Sequence, residues 1–258
     1  MTGGRSSGRF YTLGPEPRRT PFAPGAGRTP SPGVAGAARS SRRRIVAVSG
    51  LAGMGLLGLA FSRRPGSKEF YVLAGGVAGT LAAGTVLSGT RPPVRSQGQE
   101  PRQARTVVSS VLAGVGAFAI FCAAAHLARR VPWLERAVGR ALAYEIEGST
   151  PLVLLTTGLN GIAEEMFYRG ALWSVVADSN PITKTTLAYT AATAATRNPA
   201  LVLAGTATSL LFGSQRRATG GILGPTITHL TWSMLMLRYL PPEFCTSGRR
   251  RDAGMTRS

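Results

Sequence analysis

Glu164, Glu165 and Arg169 stand together inside a stretch, Pro151 to Ala177, that is otherwise largely apolar. An ionisable side chain at the centre of a membrane helix costs about 2.5–3.5 kcal/mol on insertion scales, so a group of them there marks a functional site by default. On a helix Glu165 and Arg169 lie four residues apart on one face, acid nearer the N-terminus, the order in which they best neutralise each other. Glu164 points about 100° away around the helix and has no partner in the sequence. A carboxylate so placed is a candidate general base for drawing a proton from water. His229, in a later apolar stretch, is a second group able to orient water or donate to a developing oxyanion. The bland alternatives are an interhelical salt-bridge network for the acids with Arg169 and a buried, hydrogen-bonded histidine for His229.

These residues need apolar helices to position them, and the chain supplies several. Ile45 to Phe61, Phe70 to Gly89 and Thr106 to Leu127 each approach the roughly 20 residues that cross a hydrocarbon core. Gly75-xxx-Gly79 in the second would let helices approach closely. Arg129 to Gly148 has Trp133, Leu134, Val138, Leu142 and Ile146 at helical spacing with charges between them, which predicts an amphipathic interfacial helix. Then follow Pro151 to Ala177, the shorter Thr185 to Thr196 and Ala200 to Gly213, and Gly221 to Leu240 with Pro225 and His229. Short, polar-flecked segments face protein or water better than lipid. The expectation is an all-α, polytopic transmembrane helical bundle of seven to eight spans.

Residues 1–44 carry nine arginines against the single acid Glu16 and are rich in Gly, Pro and Ser, so they predict a disordered tail. Arg42, Arg43 and Arg44, just before the first span, would hold that tail on the cytoplasmic side of a multi-pass cell-membrane protein. No cleavable signal peptide is expected, and the first span would act as its own insertion signal. The remainder divides into two N-terminal spans within 45–105, a membrane domain within 106–240 and a basic tail at 241–258. The net charge of +19, from 30 Lys+Arg against 11 Asp+Glu, sits mostly outside the apolar blocks. That placement suits membrane lipids as partners and predicts no nucleic acid. Cys122 and Cys245 cannot make a disulfide framework or a cysteine zinc site. Thr190, Thr193, Thr196, Thr206, Thr208 and Ser209 read as structural hydroxyls, and Arg216 and Arg217 as markers of the headgroup level.

The segment Glu164-Glu165-Met166-Phe167-Tyr168-Arg169-Gly170 resembles the EExxxR signature of the CAAX protease and bacteriocin-processing family, the Abi family of intramembrane proteases. Gly220-Gly221-Ile222-Leu223-Gly224-Pro225 followed by His229-Leu-Thr-Trp-Ser233 looks like that family's approach to its last histidine, with Ser233 in place of an asparagine. The resemblance covers approximately residues 106–240. Its middle motif, FxxxH, is absent: Tyr189 can stand for the aromatic, and Thr193 sits where the histidine is expected. His126, near Arg129 and Arg130, reads as an interfacial residue.

The resemblance implies an endopeptidase hydrolysing a peptide or protein substrate at the membrane. Glu164 would act as base, His229 would orient water or stabilise the oxyanion, and Arg169 would hold Glu165. The family is described both as metalloproteases and as enzymes that use the first glutamate to activate water. A catalytic zinc takes three protein ligands plus water, and Glu164, Glu165 and His229 could supply three only if Glu164 stopped being a free base. The cofactor is therefore left open, with metal-free water activation favoured and zinc possible. The rival readings are a catalytically degenerate scaffold or immunity-type protein of the same fold and a small proton-relay transporter, the latter against the order of the motifs.

Overall fold

The computed structural model describes residues 32–90 and 100–255, with side chains at 36–90 and 103–239. Every regular element among the described residues is helical. Most of the tail expected at 1–44 lies outside them, but the first helix, α1, begins at Pro32 and runs to Ala60, so it takes in the three arginines before the apolar block. Arg42 is tied down there, its Nε donating to the Ser88 carbonyl at 3.0 Å. A turn leads to α2, Lys68–Leu87, capped by Ser67, whose hydroxyl accepts from Phe70 N. Asp, Ser and Thr at this position satisfy a backbone donor that the helix cannot.

α1 and α2 form a hairpin, and α3, Glu100–Ala128, pairs with the last helix. α4, Pro132–Ile146, is the predicted amphipathic segment; it buries Ala137 and Leu142. Its Tyr144 hydroxyl donates to the carbonyls of Phe61 and Arg63 at 2.8 and 2.9 Å, and its ring packs on Phe61 and Phe70.

The central element, α5, is α-helical over Thr150–Glu164, widens to a π-helix over Glu165–Leu172 and closes with a last α-turn, Trp173–Val176. α6, Pro181–Ala194, and α7, Pro199–Thr219, form a second hairpin. Asn198 joins that hairpin to α4: its Oδ1 caps α7 at Ala200 N while its Nδ2 donates to the Ala137 carbonyl at 2.8 Å. Gly220, at φ +69°, ends α7 in the left-handed region that glycine enters without steric cost. α8 then runs from Leu223 to Met255, through the residues expected to form a basic tail.

Three helices among the described residues are long and apolar enough to cross a membrane, Gly36–Ala60, Lys68–Leu87 and Gln103–Ala128. By that measure seven or eight spans are not reached. The shortfall has a physical cause: α5 carries its ion pair at mid-length, α6 is 14 residues long, and α7 ends in Gln215, Arg216 and Arg217. These second-half helices carry polar and charged side chains that pair with one another inside the bundle, which lowers their mean hydropathy even though residues such as Leu155, Leu187 and Leu203 face outward. Val72, Leu112 and Ile120 of α2 and α3 do face outward, each at least 65% exposed.

The Gly75-xxx-Gly79 pair does not mediate a close approach, since a Cβ at either would meet nothing within 4 Å. The tight crossing of α1 and α2 lies one turn further on, where Gly84 packs directly on Ser49. The core around it includes Val46, Val77, Leu81 and Phe167, which locks the α1–α2 hairpin to the π-helical part of α5.

Candidate active site

The acidic pair straddles the start of the π-helix, Glu164 ending the α-helical part and Glu165 opening the wide turn, and Glu165 and Arg169 are both 0% exposed. Such wide turns occur most often at functional sites. Arg169 Nη1 donates to Glu165 Oε1 at 3.0 Å. Its Nη2 reaches across to α7, donating to the Ser209 hydroxyl at 2.9 Å and the Ser209 carbonyl at 3.2 Å. The rings of Tyr189 and Phe212 flank the guanidinium at 5.3 and 5.2 Å, a placement that stabilises a cation held away from water. The pairing is not complete, since Arg169 Nε and Glu165 Oε2 are buried without a hydrogen-bond partner, which leaves part of the cost of removing the charges from solvent uncompensated.

His229, on α8 and 7% exposed, completes the group. Its Nδ1 lies 3.1 Å from Glu165 Oε1, and its ring stacks on Phe212 at 4.9 Å with planes 25° apart. A carboxylate oxygen can only accept, so in this contact the imidazole donates through Nδ1. Glu165 thus joins α5 to α8 through His229, and Arg169 joins α5 to α7.

Glu164 takes a different direction, as its place on the helix implied. Its Oε2 accepts from the Tyr189 hydroxyl of α6 at 2.6 Å. Glu164, Tyr168, Tyr189 and Thr193 line a small cavity of about 20 Å³, enough for a single water molecule. Glu165, Arg169 and His229 therefore form one buried, hydrogen-bonded cluster, and Glu164 is joined to it through Tyr189, whose ring flanks Arg169. Thr193 faces the same small cavity, but its hydroxyl is spent on the carbonyls of Tyr189 and Thr190 at 2.9 and 3.0 Å. Ser233 is buried but lines a larger cavity whose wall includes none of the four. His126 lies exposed at the end of α3, apart from the cluster.

Several members were not legible as such. Ser209 read as a structural hydroxyl and is the second anchor of Arg169. Phe212 carried no signal at all. Arg216, taken for a headgroup marker, turns inward: its Nε donates to the Arg169 carbonyl at 2.9 Å and its guanidinium covers the Trp173 ring at 5.6 Å. A basic residue one turn before a glycine-terminated helix end could have suggested an inward role, but only the π-helix explains which carbonyl it meets.

Residues 146–235 match the family model described as type II CAAX prenyl endopeptidase Rce1-like. Over this stretch the chain is similar to that family. The match runs from the end of α4 to just beyond His229, so it covers the whole buried cluster and agrees with the CAAX protease resemblance, over a narrower range than 106–240. Neither the curated proteins nor the solved structures contain a significant match. The match and the three long apolar helices among the described residues suggest a membrane protein whose residues 146–235 are similar to CAAX-type endopeptidases.

The donor set does not fit a catalytic zinc. Among the described residues no group of three or more His, Cys, Asp or Glu side chains could hold a metal ion. The Glu165 oxygen nearest His229 is already shared with the Arg169 guanidinium, whose positive charge opposes a second cation at that atom.

Proposed function

We propose that the chain is an intramembrane endopeptidase that hydrolyses a peptide bond at the membrane with Glu164 as general base. The observation that carries this reading is the division of labour between the two acids. Glu165 is neutralised by Arg169 and bound to His229, whereas Glu164 has only the Tyr189 hydroxyl and borders a water-sized cavity. Glu164 takes a proton from the attacking water, and the Tyr189 hydroxyl fixes the direction of its free lone pairs. Glu165 holds the imidazole from the Nδ1 side, leaving Nε2 to orient water or, once protonated, to donate to the oxyanion. Arg169 and Ser209 fix Glu165 and so the spacing of α5, α7 and α8. The chain acts as a multi-pass protein of the cell membrane, its arginine-rich N-terminal tail on the cytoplasmic side, with lipids and a peptide or protein substrate as its partners and no nucleic acid.

The direct test is incubation of the purified chain in phospholipid vesicles with a library of membrane-anchored peptides, products being read by mass spectrometry. Cleavage by the wild type that disappears in Glu164→Gln supports the reading; the same products at the same rate from that variant overturn it. A second reading, a scaffold or immunity-type protein that has lost hydrolysis, is favoured by Thr193, whose hydroxyl is committed to its own helix. No cleavage by the wild type together with cleavage by Thr193→His would establish it.

A further inference from the structure

Five of the ten residues that wall the small cavity at Glu164 come from the α1–α2 hairpin: Gly53, Met54 and Leu57 of α1, and Val77 and Leu81 of α2. The facing wall belongs to α5 and α6. The stretch matched to the endopeptidase family, 146–235, contains none of the hairpin, so this cover over Glu164 is supplied from outside it. At about 20 Å³ the cavity holds one water molecule and no part of a peptide. A reaction at Glu164 therefore requires one wall to move.

The polar bonds single out which wall. α5 to α8 are held together by Arg169 on Ser209, His229 on Glu165, and the Thr190 and Thr206 hydroxyls 2.9 Å apart. The hairpin is bound to the bundle by polar groups only near its turn: Phe61 and Arg63 carbonyls accept from Tyr144, the Tyr71 hydroxyl accepts from Ser149 N at 2.9 Å, and the Ala74 carbonyl accepts from Asn160 Nδ2 at 3.0 Å. Among the described residues 45–57 and 77–87, no hydrogen bond or ion pair runs from the hairpin to α5–α8. Shape holds that end instead. The Phe167 ring, 1% exposed, sits in a notch between two glycines, where a Cβ on Gly50 would stand 3.3 Å from its Cζ and one on Gly84 3.6 Å from its Cε2. Few polar ties and one apolar seat are the marks of an element that opens locally while the rest of a protein stays folded.

We propose that the α1–α2 hairpin is a gate over Glu164: pivoting on its turn, it draws the Gly50–Gly84 notch off Phe167 and parts α1 from α6, which opens the Glu164 cavity to substrate. The structure is then the closed state. α1 presents an apolar outer face, with Val48 and Leu51 66% and 63% exposed, so the helix can swing through lipid without carrying a charge into it. Phe167 lies between Glu165 and Arg169 on the π-helix, which places the latch beside the ion pair that fixes α5. The functional meaning of the gate rests on Glu164 as the base; the motion itself does not.

The test uses the full chain in phosphatidylcholine vesicles with both native cysteines replaced, Cys122→Ser and Cys245→Ser. Thr193→Cys then places one thiol in the closed cavity, where N-ethylmaleimide, larger than the cavity, reaches it only through an opening. The expected result is slow labelling under conditions where the protein stays folded, faster by about tenfold in Phe167→Leu and, from the hairpin side, in Met54→Ala, because each removes contacts that keep the gate shut. Leu203→Ala, on the exposed face of α7, should leave the rate unchanged. Labelling that appears only with global unfolding, or that all three variants accelerate alike, overturns the gate. A second arm joins α1 to α6 across the same cavity with a short thiol crosslinker in Met54→Cys/Ala192→Cys. Complete crosslinking should stop peptide cleavage while each single-cysteine variant, treated in the same way, keeps it; undiminished cleavage by the crosslinked chain overturns the gate. Absence of cleavage by the wild type defeats the proposed activity alone, and the labelling rates still decide the gate.

Discussion

Replacing Arg169 by methionine should be among the most damaging single changes in this protein, and its damage should be largely undone by a second change at its partner. Arg169 is fully buried, donates to Glu165 and Ser209, and lies between two aromatic rings. In Arg169→Met the chain of similar length fills the space, but Glu165 is left as a buried carboxylate with only His229. Breaking a buried pair by removing one partner costs about 3–5 kcal/mol. For a chain of this size that corresponds to a fall in Tm of roughly 10 °C, at about 2–4 °C per kcal/mol. The double variant Arg169→Met/Glu165→Gln removes the stranded charge as well, so it should recover more than half of the loss. Thermal unfolding in one detergent, with the two singles and the double, gives the coupling energy directly, expected at about 1.5–3 kcal/mol. Strictly additive losses would refute the claim that these side chains form one electrostatic unit.

Three further outcomes follow from the same structure. Glu145 is raised by burial from its ordinary 4.5 to about 7, so its contribution to stability is complete below pH 4.5 and is lost as pH rises through 7. At 1.36 kcal/mol per pH unit between those two values the effect is of order 3 kcal/mol; Tm should fall between about pH 4.5 and 7 in the wild type and level off above, and that slope should flatten in Glu145→Gln. Gly84→Ala puts a methyl group onto Ser49 at the crossing of α1 and α2, so it should cost about 1–3 kcal/mol by overpacking, whereas Gly79→Ala, with open space around it, should be nearly neutral in the same unfolding assay. Arg216→Gln loses the donor to the Arg169 carbonyl and should lower stability by about 1 kcal/mol, with increased amide hydrogen exchange confined to Glu165–Leu172 as its signature.

The location of the cluster was legible because charge inside an apolar stretch is costly, and that cost is visible in sequence. The spacing of Glu165 and Arg169 predicted their pairing, and the direction of Glu164 predicted its separation from them. What sequence could not give was the partner across helices. Ser209, Phe212 and Tyr189 are ordinary residues for buried helices, and only the packing of α5 against α6, α7 and α8 turns them toward Arg169 and Glu164. The π-winding was equally invisible, since it depends on tertiary contacts and not on local propensity. Gly75 and Gly79 show the converse: a spacing that fits close packing carries no information about which face meets a neighbour.

The most direct measurement of the central claim compares Glu164→Gln and His229→Ala with the wild type in the vesicle cleavage assay, each variant being checked for cooperative unfolding. Glutamine keeps the shape of Glu164 and its bond to Tyr189 but cannot take a proton from water. Cleavage should fall by about 10²–10⁴-fold in Glu164→Gln and substantially in His229→Ala. Wild-type rates in a folded Glu164→Gln would contradict the assignment of Glu164 as the base.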